Sequence, residues 1–297
     1  MSRQSELAEL GRVYDNGALS NRNVIINGNF DIWQRGTSLT SSTTDAYLAD
    51  RWLIGHSGAT LDITRESFAV GQTDVPDNPK YFLRVDCTSA DNNVGIYQKI
   101  EDVETLAGET VTISFYAKYH DEAPTSLTMN LMQRFGSGGS TNLNTVIESG
   151  ITITSSWKKY TFTGTLPSIS GKTVGTGSYL YFHLQNPNNE TFNIDLAQVQ
   201  VEKGDTATPF ERRTYGDELA RCQRYYEKFD SPGNYYVAVS NGGQPRINGT
   251  WKVSKRVSPT MTNTGGFAIS GNTGGYAGYY STATDQVIPS WTADAEL

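Results

Sequence analysis

NRNVIINGNFDIWQRGTSLTSSTTDAYLADRW, residues 21–52, is the stretch on which the fold reading turns. It opens on a short β-type run, Val24-Ile25-Ile26, which Asn27-Gly28-Asn29 breaks at once. Gly and Asn tolerate left-handed backbone, so the break reads as a turn. Phe30 and Trp33 follow, and a polar loop leads to Asp50-Arg51-Trp52, where a second strand is expected to start. A short helix-like leader precedes the stretch and many β-type segments follow it. It therefore reads as the N-terminal edge of a β-sandwich, with Trp33 and Trp52 as core or edge plugs.

Working outward, alternation of period two runs from Val24 to about Glu202. Strands are expected over 61–66, 81–86, 94–100, 111–118, 127–135, 146–153, 157–166, 179–184 and 192–202. A Gly-Ser-Gly-Gly-Ser run at 136–140 reads as a loop. Many strands with no helix between them predict a two-sheet sandwich or jelly roll. After Gly204 and Pro209, Asp217 is placed to cap an amphipathic helix with Leu219, Cys222, Tyr225 and Tyr226 on one side. Short, Gly-rich aromatic strands then return from Tyr235 onward. The fold class expected is mainly β. A jelly-roll β-sandwich (21–203) is followed by a connector and linker helix (204–229) and a second small Gly/Tyr-rich β domain (230–297). Residues 1–20 read as an attachment segment, with Leu7, Leu10 and Val13 near helical spacing; a helix that short needs a partner surface.

Composition narrows the function. The chain has 297 residues, a formal net charge of -7, 29 Gly and 17 Tyr. Nucleic acid is excluded as a partner, because phosphate binding needs a concentrated basic face and none is visible. No apolar run is long enough to insert in a membrane, and the N-terminus has no signal-peptide h-region, so synthesis in a cytosol is expected. Two distant cysteines, Cys87 and Cys222, read as unrelated buried thiols. A polar, Tyr-rich β protein without an export signal fits assembly into a released particle.

Several blocks, in order, resemble bacteriophage tail-fibre and related virion-fibre proteins with a carbohydrate-binding-module-like (galactose-binding-like) jelly roll. They are residues 20–36, 47–52, 106–118, 197–211, 218–226 and the ending Ala293-Asp294-Ala295-Glu296-Leu297. The resemblance implies a virion location, homotrimer assembly, attachment through residues 1–20 to another virion protein, and binding of host-surface glycan. One departure is Lys255-Arg256-Val257-Ser258-Pro259-Thr260, where relatives are more apolar; Lys255 is expected to face solvent.

Sugar recognition uses aromatic faces with amides and carboxylates beside them. Sandwich candidates are Tyr97, Tyr116, Tyr119, Trp157, Tyr179 and Tyr181, with Tyr179 and Tyr181 alternating against Leu180 and Phe182. In the C-terminal part they are Tyr276, Tyr279, Tyr280 and Trp291. The same aromatics would also suit a sheet face or subunit interface. Related sandwiches carry a structural calcium, for which Asn29, Asp31 and Asp195 supply oxygens. The three histidines, His56, His120 and His183, are isolated in sequence, with no metal spacing and no nucleophile elbow in the chain. The chain is therefore not read as an enzyme. The leading expectation is a virion fibre protein that attaches to host glycans. A glycan-independent adaptor or decoration protein is the first rival, and a polysaccharide-degrading tail enzyme the second.

Overall fold

The computed structural model describes residues 21–90, 92–186, 189–230, 236–237, 246–263, 267–280, 286–287 and 290–297. The attachment candidates Leu7, Leu10 and Val13 lie outside the described residues. The chain divides into two compact units, one ending at Arg213 and one running from Thr214 to Leu297.

The first unit is a jelly-roll sandwich of two antiparallel six-stranded sheets. Sheet one orders β1 (Ser38–Ser42), β4 (Thr60–Ser67), β5 (Tyr81–Ser89), β12 (Phe192–Lys203), β7 (Thr110–Lys118) and β10 (Lys158–Thr165). Sheet two orders β2 (Ala46–Tyr47), β3 (Leu53–Ser57), β6 (Asn92–Ile100), β11 (Tyr179–Gln185), β8 (Leu127–Arg134) and β9 (Leu143–Ile151). Alternate residues of both sheets point inward: Ile63, Val85, Ile113, Phe115 and Ile194 from one, Ile96, Met129, Leu131, Leu180 and Phe182 from the other. That period-two burial is the sheet pleat expressed in sequence.

The opening stretch forms the seam between the sheets rather than a strand. Residues 22–25 have no regular secondary structure, Ile26 lies in a bend, and none of them belongs to either sheet. Val24 N–H donates to Val201 O at 3.0 Å on sheet one, while Ile26 exchanges two 2.8 Å bonds with the Gln98 amide on sheet two. Asn23 Oδ1 accepts from Ile25 and Val201, each at 3.0 Å. Asn27, fully buried at φ 57°, donates to Ile32 O and Asp50 O and accepts from Ile32 N–H. Trp52 is fully buried, 5.1 Å from Phe30 and 5.6 Å from Phe182 of sheet two, and its indole donates to Asn27 O. Both tryptophans are the plugs the sequence implies. β1, in the supposed polar loop, is a strand because its backbone pairs with β4, not because of its side chains.

The expected connector, 204–229, is divided between the units. Its first part closes over the outer face of β12, whose polar residues would otherwise be exposed. Gln200 and Glu202 both bond Thr208, and Gln200 Oε1 accepts from Glu211 N–H at 2.8 Å. Glu211 in turn accepts from Asn23 N–H at 2.7 Å, and Arg213 reaches Ile25 O at 2.9 Å. The helix, α1 (Tyr215–Gln223), belongs to the second unit. Thr214, not Asp217, caps it: the Thr214 hydroxyl accepts from Asp217 N–H, which leaves Asp217 in the first turn where the helix dipole favours an acid.

In the second unit β13 (Tyr226–Phe229), β20 (Trp291–Asp294) and β16 (Thr260–Asn263) form one sheet. β15 (Arg246–Thr250), β18 (Gly275–Tyr280) and β17 (Phe267–Gly271) form another. A short pair joins β14 (Tyr236–Val237) to β19 (Gln286–Val287). Cys222 is buried on α1 and Cys87 on β5, both as free thiols.

Lys255 corrects its expectation: it is 2% exposed, not at a solvent edge. Its ammonium donates to Glu227 Oε2 at 2.7 Å and to the Gln223 carbonyl, and sits 4.9 Å from the Trp251 ring centroid. Burial pushes its pKa down, and the Glu227 carboxylate opposes that shift. A buried charge is tolerated only when it is paired and hydrogen-bonded, so removing one partner strands the other. Lys255→Ala is therefore expected to destabilise the second unit by about 3–5 kcal/mol. The double variant Lys255→Met, Glu227→Gln should recover much of that loss, both read from urea unfolding.

Candidate functional site

The outer face of sheet two carries the candidate site. On β11, Leu180, Phe182 and Leu184 enter the core, so Tyr179, Tyr181, His183 and Gln185 take the opposite face. Register then puts His183 beside Tyr97 of β6 and Asn130 of β8, and Tyr181 beside Lys99 and Met132. Tyr97 and Tyr181 are parallel to within 5° at 5.0 Å, and the His183 ring lies 4.4 Å from Tyr97. Tyr179 meets Tyr181 edge-on at 5.8 Å. Tyr97, the pair Tyr179/Tyr181 and His183 thus make one aromatic bed.

Two glycines make room for it. A Cβ on Gly55 would come 2.6 Å from the Tyr97 ring, and one on Gly95 would come 2.5 Å from Tyr97 and 2.7 Å from His183 Nε2. The rings therefore lie down over bare backbone instead of standing off the sheet.

The bed has polar atoms with nothing to bond. His183 is 8% exposed and Asn130 4%, yet His183 Nδ1 and Nε2 and Asn130 Nδ2 are buried without a hydrogen-bond partner. Such groups cost about 1–3 kcal/mol each unless a ligand or water meets them. Burial holds the imidazole neutral, with its pKa lowered to about 4, and the Arg134 charge adds to the shift. A neutral imidazole offers one donor and one acceptor, which suits a hydroxyl. Burial also pushes the Tyr97 phenol up to about 12 and the Tyr181 phenol up further. These groups stay un-ionised near neutral pH. Aromatic faces together with unbonded donors and acceptors are the groups that recognise a polyhydroxylated ring.

The other candidates fall elsewhere. Trp157 packs on Phe68 and Phe82 at 5.1 and 5.2 Å, with Lys118 above it, among side chains of sheet one. The fold does not bring it to Tyr179 and Tyr181. Tyr119 packs on the core, and Tyr116 alternates with core residues of sheet one. In the second unit Trp291 is 3% exposed between Phe229, Trp251 and Tyr276, so neither it nor half-buried Tyr276 is a free platform. Those two are core. Tyr279 is 46% exposed. The Tyr280 backbone pairs with Phe267, and its side chain lies outside the described residues.

The calcium reading is also corrected. Asp195 is fully buried, with both oxygens on Arg84 at 2.7 and 2.9 Å and Lys118 at 3.5 Å. A divalent cation would have to displace two charges already in place. Asn29 Nδ2 donates to Asp31 Oδ2 at 2.9 Å, a side-chain link within the turn, while Asn29 Oδ1 is buried without a hydrogen-bond partner. The three side chains do not fit a calcium site. Among the described residues no cluster of three or more His, Cys, Asp or Glu could hold a metal ion.

Sequence reasoning missed His183 and Asn130. His183 looked isolated in the chain, and its neighbours come from strands more than 50 residues away. The only signal was phase: both sit on the outward beat of their strands.

Residues 22–191 match the family model described as "Carbohydrate binding domain". No curated protein matches. Among solved structures, the chain is similar to the CBM22-1 xylan-binding domain of Paenibacillus barcinonensis Xyn10C, with 17% identity, 57% of this chain and 94% of that one covered, and a TM-score of 0.38. It is also similar to the family 11 carbohydrate-binding module of Lic26A-Cel5E from Clostridium thermocellum, with 16% identity, 58% and 98% covered, and a TM-score of 0.35. A third likeness is the enzymatically active domain of bacteriophage CBA120 tailspike protein 4, with 12% identity, 62% and 22% covered, and a TM-score of 0.35.

His183 gives a pH test. The folded imidazole protonates near pH 4 and the free one near 6.5, so the folded state binds fewer protons between those values. Its contribution is present above about pH 6.5 and lost as pH falls toward 4, at most about 3 kcal/mol. Unfolding free energy measured across this window should fall less in His183→Gln than in the parent. Gly95→Ala should displace Tyr97 and His183 together, visible as shifted ring resonances in NMR. With the family match spanning more than half its length, the chain belongs to the carbohydrate-binding domain family.

Proposed function

We propose that the chain binds glycan on the outer face of sheet two, with Tyr97, Tyr179 and Tyr181 stacking against sugar rings and His183 and Asn130 bonding hydroxyls. The observation that carries this is the coincidence of three unbonded, buried polar atoms with an aromatic bed laid over glycine. Burial of orphan donors is costly for a structural surface, and a sugar hydroxyl removes the cost. The protein acts here by binding rather than by catalysis.

The finer reading is a virion fibre protein that attaches to host-surface glycan. Its support is the order of the sequence blocks from residue 20 to residue 297 and the polar, Tyr-rich composition. In that setting residues 1–20, with Leu7, Leu10 and Val13, would fasten the chain to another virion protein. The sandwich would be the binding body, and homotrimer assembly would multiply weak contacts by avidity. Exposed Tyr279 would add a contact in the second unit.

A glycan array probed with the full chain, followed by calorimetry on the strongest ligand, tests the face. Tyr181→Ala is expected to weaken binding more than about tenfold, roughly 1.4 kcal/mol. Trp157→Ala should leave affinity within about twofold, since that ring lies apart from the bed. The opposite ranking would move the site to sheet one. Native mass spectrometry should give three copies; a clean monomer defeats the fibre reading while leaving the glycan site intact.

A further inference from the structure

The charges on this face are unevenly placed. Tyr179 pairs in register with Arg134 of β8, and the Lys99 ammonium stands 5.2 Å from the Tyr179 ring centroid. The field of Arg134 reaches Tyr181 and His183, whereas the acid felt by Tyr97 is Asp45. Arg134 and Lys99 therefore flank Tyr179, with the Asp102 carboxylate bonded to the Ser178 hydroxyl at the same end. The whole chain opposes such an arrangement, with 24 Lys and Arg against 31 Asp and Glu.

Arg134 is held in place by its own sheet. Its Nη1 donates to Asn144 Oδ1 at 2.7 Å and to Leu143 O at 3.3 Å, and Nη2 reaches the Met132 sulfur. Among the described residues no carboxylate pairs with it. The Nε–H and one Nη2 hydrogen are left over from a fork of five donors. A half-buried, oriented guanidinium without a counter-charge is a preformed seat for a planar anion.

We propose that the glycan bound here is acidic, with a sugar carboxylate seated against Arg134 at the Tyr179 end while its rings lie across Tyr181 and Tyr97. This rests on the carbohydrate reading above and gives it a direction: the anionic residue lies toward Arg134 on β8 and a neutral one toward Tyr97 on β6.

The test uses the full chain and pairs of oligosaccharides that differ in charge. The pairs are oligogalacturonate and its methyl ester, a glucuronic-acid-substituted xylo-oligosaccharide and the unsubstituted one, and sialyllactose and lactose. In at least one pair the acidic member should bind about tenfold or more tightly. That advantage should shrink as salt screens the charges. Arg134→Gln should close the gap by weakening the acidic member far more than the neutral one, while Arg134→Lys keeps part of the gap; unchanged thermal unfolding of both variants confirms that they fold. Equal affinities within every pair, a neutral preference, or an acidic preference that survives Arg134→Gln would each overturn the acidic-glycan inference and leave the glycan site standing. Failure of all six ligands, and of the glycan array, would overturn the carbohydrate reading itself.

Discussion

Gly28 passes so close to β12 that a Cβ there would lie 2.2 Å from the Val199 carbonyl oxygen. That contact lets Val199 N–H donate to Gly28 O at 2.8 Å and draws the opening stretch against the central strand of sheet one. The buried Asn23 and Asn27 amides then take up backbone groups that the irregular path leaves over. Gln98 does the same from sheet two. The seam is polar in composition, and its buried amides bond backbone groups of both sheets. Buried amide-to-backbone bonds of this kind favour one arrangement of the two sheets.

From that seam the site follows by geometry. Trp52 sits between Phe30 and Phe182, and Phe182 is the inward neighbour of Tyr181 and His183 on β11. A well-packed core fixes the phase of β11, and the pleat then presents Tyr179, Tyr181 and His183 on the other side. Sheet one makes the opposite use of its outer face. There Asp195 is consumed by Arg84 and Lys118, and polar side chains of β12 are covered by the chain at 205–211. One face is largely taken up by its own ion pairs and covering chain, and the other carries the aromatic bed with the unbonded His183 and Asn130 nitrogens.

The second unit solves a different problem. Its described buried cluster is small, with Trp251, Trp291 and Ala293 at its centre and Phe229, Met261, Ile269 and Tyr276 around them. Lys255 and Glu227 add a buried ion pair that joins the end of α1 to β13 and to the segment after Trp251. The glycan candidates of the C-terminal part have different environments: Tyr276 and Trp291 pack inward, and Tyr279 faces out.

The amino-acid sequence by itself determined the β-sandwich, most strand positions, the plug roles of Trp33 and Trp52, and the outward pair Tyr179/Tyr181. All of these depend on local alternation, turn chemistry and the size of an apolar ring, which can be read along one strand. Tertiary structure decided what depends on register between strands distant in the chain. It set His183 between Tyr97 and Asn130, gave Asp195 to Arg84 instead of a metal, and buried Lys255 against Glu227. An isolated histidine, aspartate or lysine looks alike in sequence whether it meets solvent, a ligand or an opposite charge. Burial and the neighbour across the sheet settle which, because they set the cost of leaving a polar atom unpaired.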